Sequence, residues 1–308
     1  MSGPRWLARM PGPEIKESLN VMSENDQDTH VIEAVGRSKI VIHDGKVTEV
    51  SGSRIRRCPL AKKFALPVDE ITPDAVKANI EHRMESWGMC QSHRNICGNA
   101  DFVGFGASEL IGSGLSSKIL DAAVLACDGA GTVIATSPEL VQGIGGRMSG
   151  LVSTSPLSDE MDRIEQNGGF ILDRATANVD QVLGVSRAHA QGFRTIAVTV
   201  ASADDAVSIR AGFPEVLIFG VHLSGISEED AVRIISVADI VTACASKWIW
   251  ECAGPKALVQ AGTAVPVFAL TSRGKHLILD KIQRSNRSVL ITGSNLPSYG
   301  PEIPQPLI

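Results

Sequence analysis

The chain has 308 residues, 34 acidic against 29 basic side chains, and a formal charge of −5. That balance argues against a nucleic-acid binder, which carries a basic excess. With 4% aromatics and 29 Gly the composition argues against a base-stacking surface, and no apolar run reaches the roughly 20 residues that span a bilayer. At about 150 residues per domain the length suits one large domain or two modest ones.

Residues 1–29 are polar and broken by Pro4, Pro11 and Pro13, with no apolar core of a secretory signal. They read as a disordered leader of a cytoplasmic protein, with Met22 as an alternative start. Residues 30–107 read as an N-terminal β-meander and a helical lid. His30 to Val35, Lys39 to His43 and Lys46 to Val50 are the strands. Asp44-Gly45 marks a hairpin, because a two-residue turn of that type needs positive φ at both positions. Thr72-Pro73 starts a helix with an N-cap and a proline at its first position, and Gly88 ends it.

Residues 108–290 alternate apolar runs with amphipathic stretches. Strands are expected at Asp121 to Cys127, Leu151 to Ser153, Phe170 to Leu172, Thr195 to Val200, Val216 to Val221, Asp239 to Ala243 and Val265 to Leu270. Between them lie helices, several opened by Ser-x-x-Asp starts at Ser202 and Ser227. This alternation predicts an α/β fold: a mostly parallel sheet with flanking helices, built from Rossmann-like βαβ units, plus the small N-terminal β-meander. Residues 291–308 form a Pro-rich tail, expected to be loose.

Six cysteines occur, none in a CxxC pair. In open parallel sheets, ligands bind beyond the carboxyl ends of the strands. Cys127 and Cys244 end two such strands, and His222 follows a third. Cys58 and Cys90 come from the part that folds over that edge as a lid. Four thiolates from four segments suit the soft irons of an iron–sulfur cluster; the plainer alternative is small buried hydrophobes. Two glycine loops offer backbone N–H groups to an anion: Gly129, Gly131 and Thr132, then Gly145 and Gly146 with Arg147 as a fork for a carboxylate or phosphate. Lys247 beside Cys244 is placed to acidify that thiol.

Taken together, Cys58-Pro59-Leu60, Gly88-Met89-Cys90, Cys127 through Thr132, Glu139 through Arg147, Gly150 through Thr154, Ile218 through His222, Thr242 through Lys247 and Pro266 through Leu270 resemble the methanogenesis marker protein 8 family of methane-producing archaea. The resemblance covers roughly residues 30–285. It implies a place in methanogenesis, with methyl-coenzyme M reductase or its assembly factors as partners, and supplies no catalytic residues. The metal set Cys58, Cys90, Cys127 and Cys244 falls inside these segments, whereas Cys97 and Cys252 fall outside the pattern. The expected function is an accessory factor that matures or activates that reductase, holding an iron–sulfur cluster. The alternative is an enzyme using Cys127 or Cys244 as nucleophile on a small anion held by the glycine loops. A scaffold that docks partners through its tails is a third possibility.

Overall fold

Alternating apolar residues start the first sheet. The computed structural model describes residues 28–98, 101–146, 150–286 and 288–308, so nearly all of the expected leader lies outside the described residues. Strands β1 (Thr29–Glu33), β2 (Lys39–His43) and β3 (Lys46–Val50) turn Ile32, Ile40, Ile42 and Val47 inward. Asp44 (φ 47°) and Gly45 (φ 67°) make the tight turn between β2 and β3. Helix α1 (Pro73–Trp87) lays Val76, Ile80 and Met84 on this sheet's core. Its Thr72 cap accepts the Ala75 N–H, and Gly88 closes it at φ 68°.

The body follows with α2 (Ala107–Ser116), β4 (Ala122–Cys127), β5 (Gly131–Ala135), α3 (Pro138–Gly145), β6 (Gly150–Thr154), α4 (Ser158–Gln166) and β7 (Phe170–Ile171). Next come α5 (Gln181–Ala190), β8 (Ile196–Val200), α6 (Ala203–Gly212), β9 (Leu217–Gly220), α7 (Glu228–Val237) and β10 (Ile240–Thr242). Helix α8 (Lys247–Ala253), β11 (Val259–Ala261), β12 (Val267–Ala269) and α9 (Ser272–Arg284) complete it.

The large sheet runs β11-β12-β10-β9-β8-β4-β5-β7. Its centre, β4, β8, β9 and β10, is parallel as expected. Both flanks are antiparallel, so the sheet is mixed and the expectation of a mostly parallel sheet holds only for its centre. For the pairs β4–β5 and β11–β12 the reason is connection length. A parallel neighbour needs a crossover of a dozen or more residues, whereas β4 and β5 are joined by Asp128, Gly129 and Ala130 alone. Strand β6 leaves this body and pairs with β1, completing a four-stranded antiparallel sheet, β3-β2-β1-β6.

Alternation along β4 shows how the core divides. Ala122 and Val124 face a cluster with α5, α6, α7 and α8, whereas Ala123, Leu125 and Cys127 face one with α2, α3, α4 and α9. Two helical layers therefore cover the sheet. The tail is docked, not loose. Tyr299 stacks on Trp250 at 4.9 Å between ring centroids, the Ser298 N–H donates to Gln260 Oε1, and Ile303 and Leu307 pack against the α8-side core. Its prolines restrict the unfolded chain, which lowers the entropy lost on docking. Among the described residues no helix is long and apolar enough to cross a membrane.

Candidate functional site

The parallel strands end at one edge, and the antiparallel sheet sits over it. Cys127 closes β4, His222 lies two residues past β9, and Cys244 two residues past β10. From above, Glu33 of β1 reaches His222 and the Cys90 loop reaches Asp128. Cys90 (φ 57°), His222 (φ 58°) and Cys244 (φ 46°) all hold left-handed backbone. Non-glycine residues are uncommon there, and such strain gathers at working sites.

The deeper part is a charged group with almost no access to water. Arg94 Nε lies 2.9 and 3.0 Å from the two Asp128 oxygens, and its Nη1 and Nη2 donate to the carbonyls of Gly143 and Ile144. Asp128 also accepts the Cys90 N–H at 2.5 Å. Glu160, from the buried face of α4, lies 3.7 Å from Arg94 Nε and accepts the Cys127 thiol at 3.2 Å. One cation therefore serves two buried carboxyls. Burial would raise the pKa of Asp128, but Arg94 and the Cys90 N–H outweigh it and hold that carboxyl below its usual range. Glu160 takes the proton instead: burial and then the Asp128 charge push it to about 8. Its Oε2 is buried without a hydrogen-bond partner among the described residues. It lies against Gly129 (φ 78°), where a Cβ would sit 2.3 Å from it, so only glycine fits.

Both thiols here are held protonated. Burial, then Glu160, pushes Cys127 well above its ordinary value; burial, then Asp128, does the same to Cys90. His30 completes the group, with Nδ1 2.5 Å from Thr154 Oγ1 and Nε2 2.7 Å from Asp28. Burial lowers its pKa, so its ring is neutral at pH 7.

The shallower part holds Cys58 and Cys244. Burial raises the Cys58 pKa, and Cys244 is near enough to add to that effect. Cys244 is half-buried, with Sγ 3.5 Å from Thr242 Oγ1. The next residue, Ala245, donates its N–H to Ser224 Oγ. His222 Nε2 lies 3.0 Å from Glu33 Oε2, which also pairs with Arg37 at 3.0 Å. The His222 hydrogen bond, with Arg37, lowers the Glu33 pKa.

The four cysteines expected as one metal set thus reach one edge as two pairs. Strands β8 and β9 lie between β4 and β10. At about 4.8 Å per strand, Cys127 and Cys244 stand roughly 14 Å apart. Among the described residues no three His, Cys, Asp or Glu side chains converge on a metal position. In this arrangement the four thiols do not fit a single iron–sulfur cluster. Cys97 and Cys252 are half-buried elsewhere.

The first glycine loop is a β-hairpin. Its N–H groups are already used: Gly129 donates to Thr154 Oγ1, Ala130 to Cys127 O and Thr132 to Asn178 O. Gly131 and Thr132 are buried strand residues, and Thr132 Oγ1 donates to Gln181. They present no open cradle to an anion. Gly145 ends α3, and the Gly146 N–H returns to Gln142 O; Arg147 lies outside the described residues.

Arg94, Glu160, His30 and Glu33 escaped the sequence reading. For Glu160 a signal existed. Glu160, Met161 and Ile164 share the buried face of α4, so helical spacing alone puts this acid on an apolar stripe. Arg94 left no comparable trace, because its partners come from distant segments.

Fold and site define a two-sheet α/β protein with cysteines and a buried Arg–Asp–Glu group beneath an antiparallel cover. Residues 30–283 match the family described as an uncharacterized protein conserved in archaea (DUF2099), and the chain belongs to that family. It is 40% identical over 284 residues to the uncharacterized protein MJ0054 of Methanocaldococcus jannaschii, covering 91% of this chain and 100% of that relative.

Proposed function

We propose that this chain is an accessory factor of methanogenesis, serving the maturation or activation of methyl-coenzyme M reductase through thiols at the carboxyl edge of its parallel strands. The observation that carries the reading is the gathering of Cys58, Cys90, Cys127 and Cys244 at that edge, with left-handed backbone at Cys90 and Cys244. The pathway itself rests on the resemblance of the cysteine-bearing segments to methanogenesis marker protein 8. The test is anaerobic capture of the tagged chain from its native cells, probed for the reductase and its assembly factors, with Cys127→Ser and Cys244→Ser compared at equal abundance. Co-purification, with loss of active reductase in the serine variants, supports the proposal. Absence of both refutes it.

A second reading is an enzyme with Cys244 as nucleophile. In its favour, Cys244 sits on a strand–turn–helix between the small residues Ala243 and Ala245, beside a segment whose His222 is held by Glu33. Under this reading Cys244 alkylates fastest of the six thiols, and His222→Gln slows it. Equal slow rates at all six would remove it.

A further inference from the structure

Residues 54–63 hold five cations, Arg54, Arg56, Arg57, Lys62 and Lys63, and no acid, in a chain of net charge −5. All five are exposed. Of these five, only Lys62 forms an ion pair among the described residues, with Glu302 at 2.9 Å. Cys58 lies in the middle of this run. Such a field favours an anionic partner and speeds its encounter.

The tail crosses this loop through an isolated antiparallel bridge between Arg57 and Gln305. Gln305 O accepts the N–H groups of Arg56 (2.7 Å) and Arg57 (3.2 Å), and the Gln305 N–H donates to Arg57 O (2.9 Å). Three residues later the Ile308 N–H donates to Ala245 O (2.8 Å), and Ile308 O accepts from Lys247 N (3.0 Å). Residues 305–308, which reach about 10 Å from end to end, therefore span from the backbone beside Cys58 to the backbone beside Cys244. Pairing of this main-chain kind is how an extended segment docks by strand addition, with main-chain hydrogen bonds giving affinity and side chains selectivity. The cis segment is poorly matched in charge, with Glu302 the one acid in 295–308 against five cations.

We propose that the groove between Arg56–Cys58 and Ala245–Lys247 is a docking site for an extended, acidic, proline-containing segment of a partner protein. The chain's own residues 301–308 occupy it in cis, and a more acidic segment displaces them and uncovers Cys58 and Cys244. The inference rests on the reading that these thiols act on a partner. It identifies the surface that receives the partner and the chemistry it selects.

The test uses the full chain at low salt and three synthetic peptides. One has the tail sequence 301–308, one carries three added N-terminal glutamates, and one has lysine in place of its glutamate. Iodoacetamide labelling of each cysteine is followed by mass spectrometry. The glutamate-rich peptide is expected to raise the Cys244 rate several-fold, with Cys97, on the other side of the sheet, unchanged. High salt abolishes the effect, as does Arg56→Glu with Arg57→Glu. Lys62→Glu alone raises the Cys244 rate by up to about fivefold, the scale of an exposed ion pair, and adding Glu302→Lys restores it. This swap keeps the test decisive if the arginine variants fold poorly. The proposal is overturned if no peptide changes the Cys244 rate, if the lysine peptide acts as well as the acidic one, or if all six cysteines accelerate together. Labelling reads the groove alone, so its failure is distinguishable from failure of the serine variants to affect the reductase.

Discussion

Replacing Arg94 by methionine probes the buried charge group most sharply. Arg94 is 2% exposed and Asp128 is fully buried. The substitution removes both Nε contacts to Asp128 and the donors to the Gly143 and Ile144 carbonyls, leaving the carboxylate with the Cys90 N–H. Breaking a buried pair by removing one partner costs about 3–5 kcal/mol, which lowers Tm by roughly 5–8 °C in a protein of this size. The cost carries a pH signature. In the native chain the depressed Asp128 pKa contributes stability above the unfolded value of about 4, lost as pH falls through the folded pKa. Without Arg94 the same carboxyl is pushed above its unfolded value, so the variant weakens as pH rises from about 4. Urea unfolding at pH 4 and pH 7 should show the larger deficit at pH 7, partly recovered by adding Asp128→Asn. A deficit under about 1 kcal/mol at pH 7, or one equal at both pH values, would show that Arg94 does not hold the Asp128 charge.

Four further outcomes follow from the same geometry. Glu160 holds a raised pKa of about 8, so its contribution falls as pH rises from about 4.5 towards 8, by roughly 1.4 kcal/mol per unit. Glu160→Gln should flatten that slope in pH-dependent unfolding, and parallel slopes would contradict it. Gly129→Ala should cost about 3 kcal/mol or more, because the Cβ needs left-handed backbone and strikes Glu160; calorimetry with Tm unchanged would count against this. Under native alkylation the half-buried Cys97, Cys244 and Cys252 should react before Cys58, Cys90 and Cys127, and early loss of Cys127 would show that the deep group opens freely. Anaerobically purified chain should bind little iron or sulfide while the thiols stand as two pairs, whereas a stoichiometric cluster would show that the pairs come together.

Much of the body was readable because local rules and packing agree there. The Thr72-Pro73 start, the Asp44-Gly45 turn and the serine caps at Ser202 and Ser227 appear as expected. Strand β5 was hidden, because glycines at Gly129 and Gly131 read as a loop when the three-residue turn folds the chain straight back. Strand β6 joins the N-terminal sheet through pairing with residues some 120 positions earlier, which no local pattern encodes. The edge that gathers the cysteines was legible from the rule on parallel strands. Their division into pairs was not, since it depends on β8 and β9 entering between β4 and β10. Arg94 was invisible for a related reason: its partners Asp128, Gly143 and Ile144 lie more than thirty residues away.

Whether the edge thiols serve the reductase, as we propose, is open to direct measurement. The direct measurement is the fraction of active methyl-coenzyme M reductase in native cells whose only copy of this chain carries Cys127→Ser and Cys244→Ser, at wild-type abundance and with Tm confirmed. A clear fall in that fraction, with reductase abundance unchanged, is the predicted result. Full activity in those cells would show that these thiols do not serve the reductase.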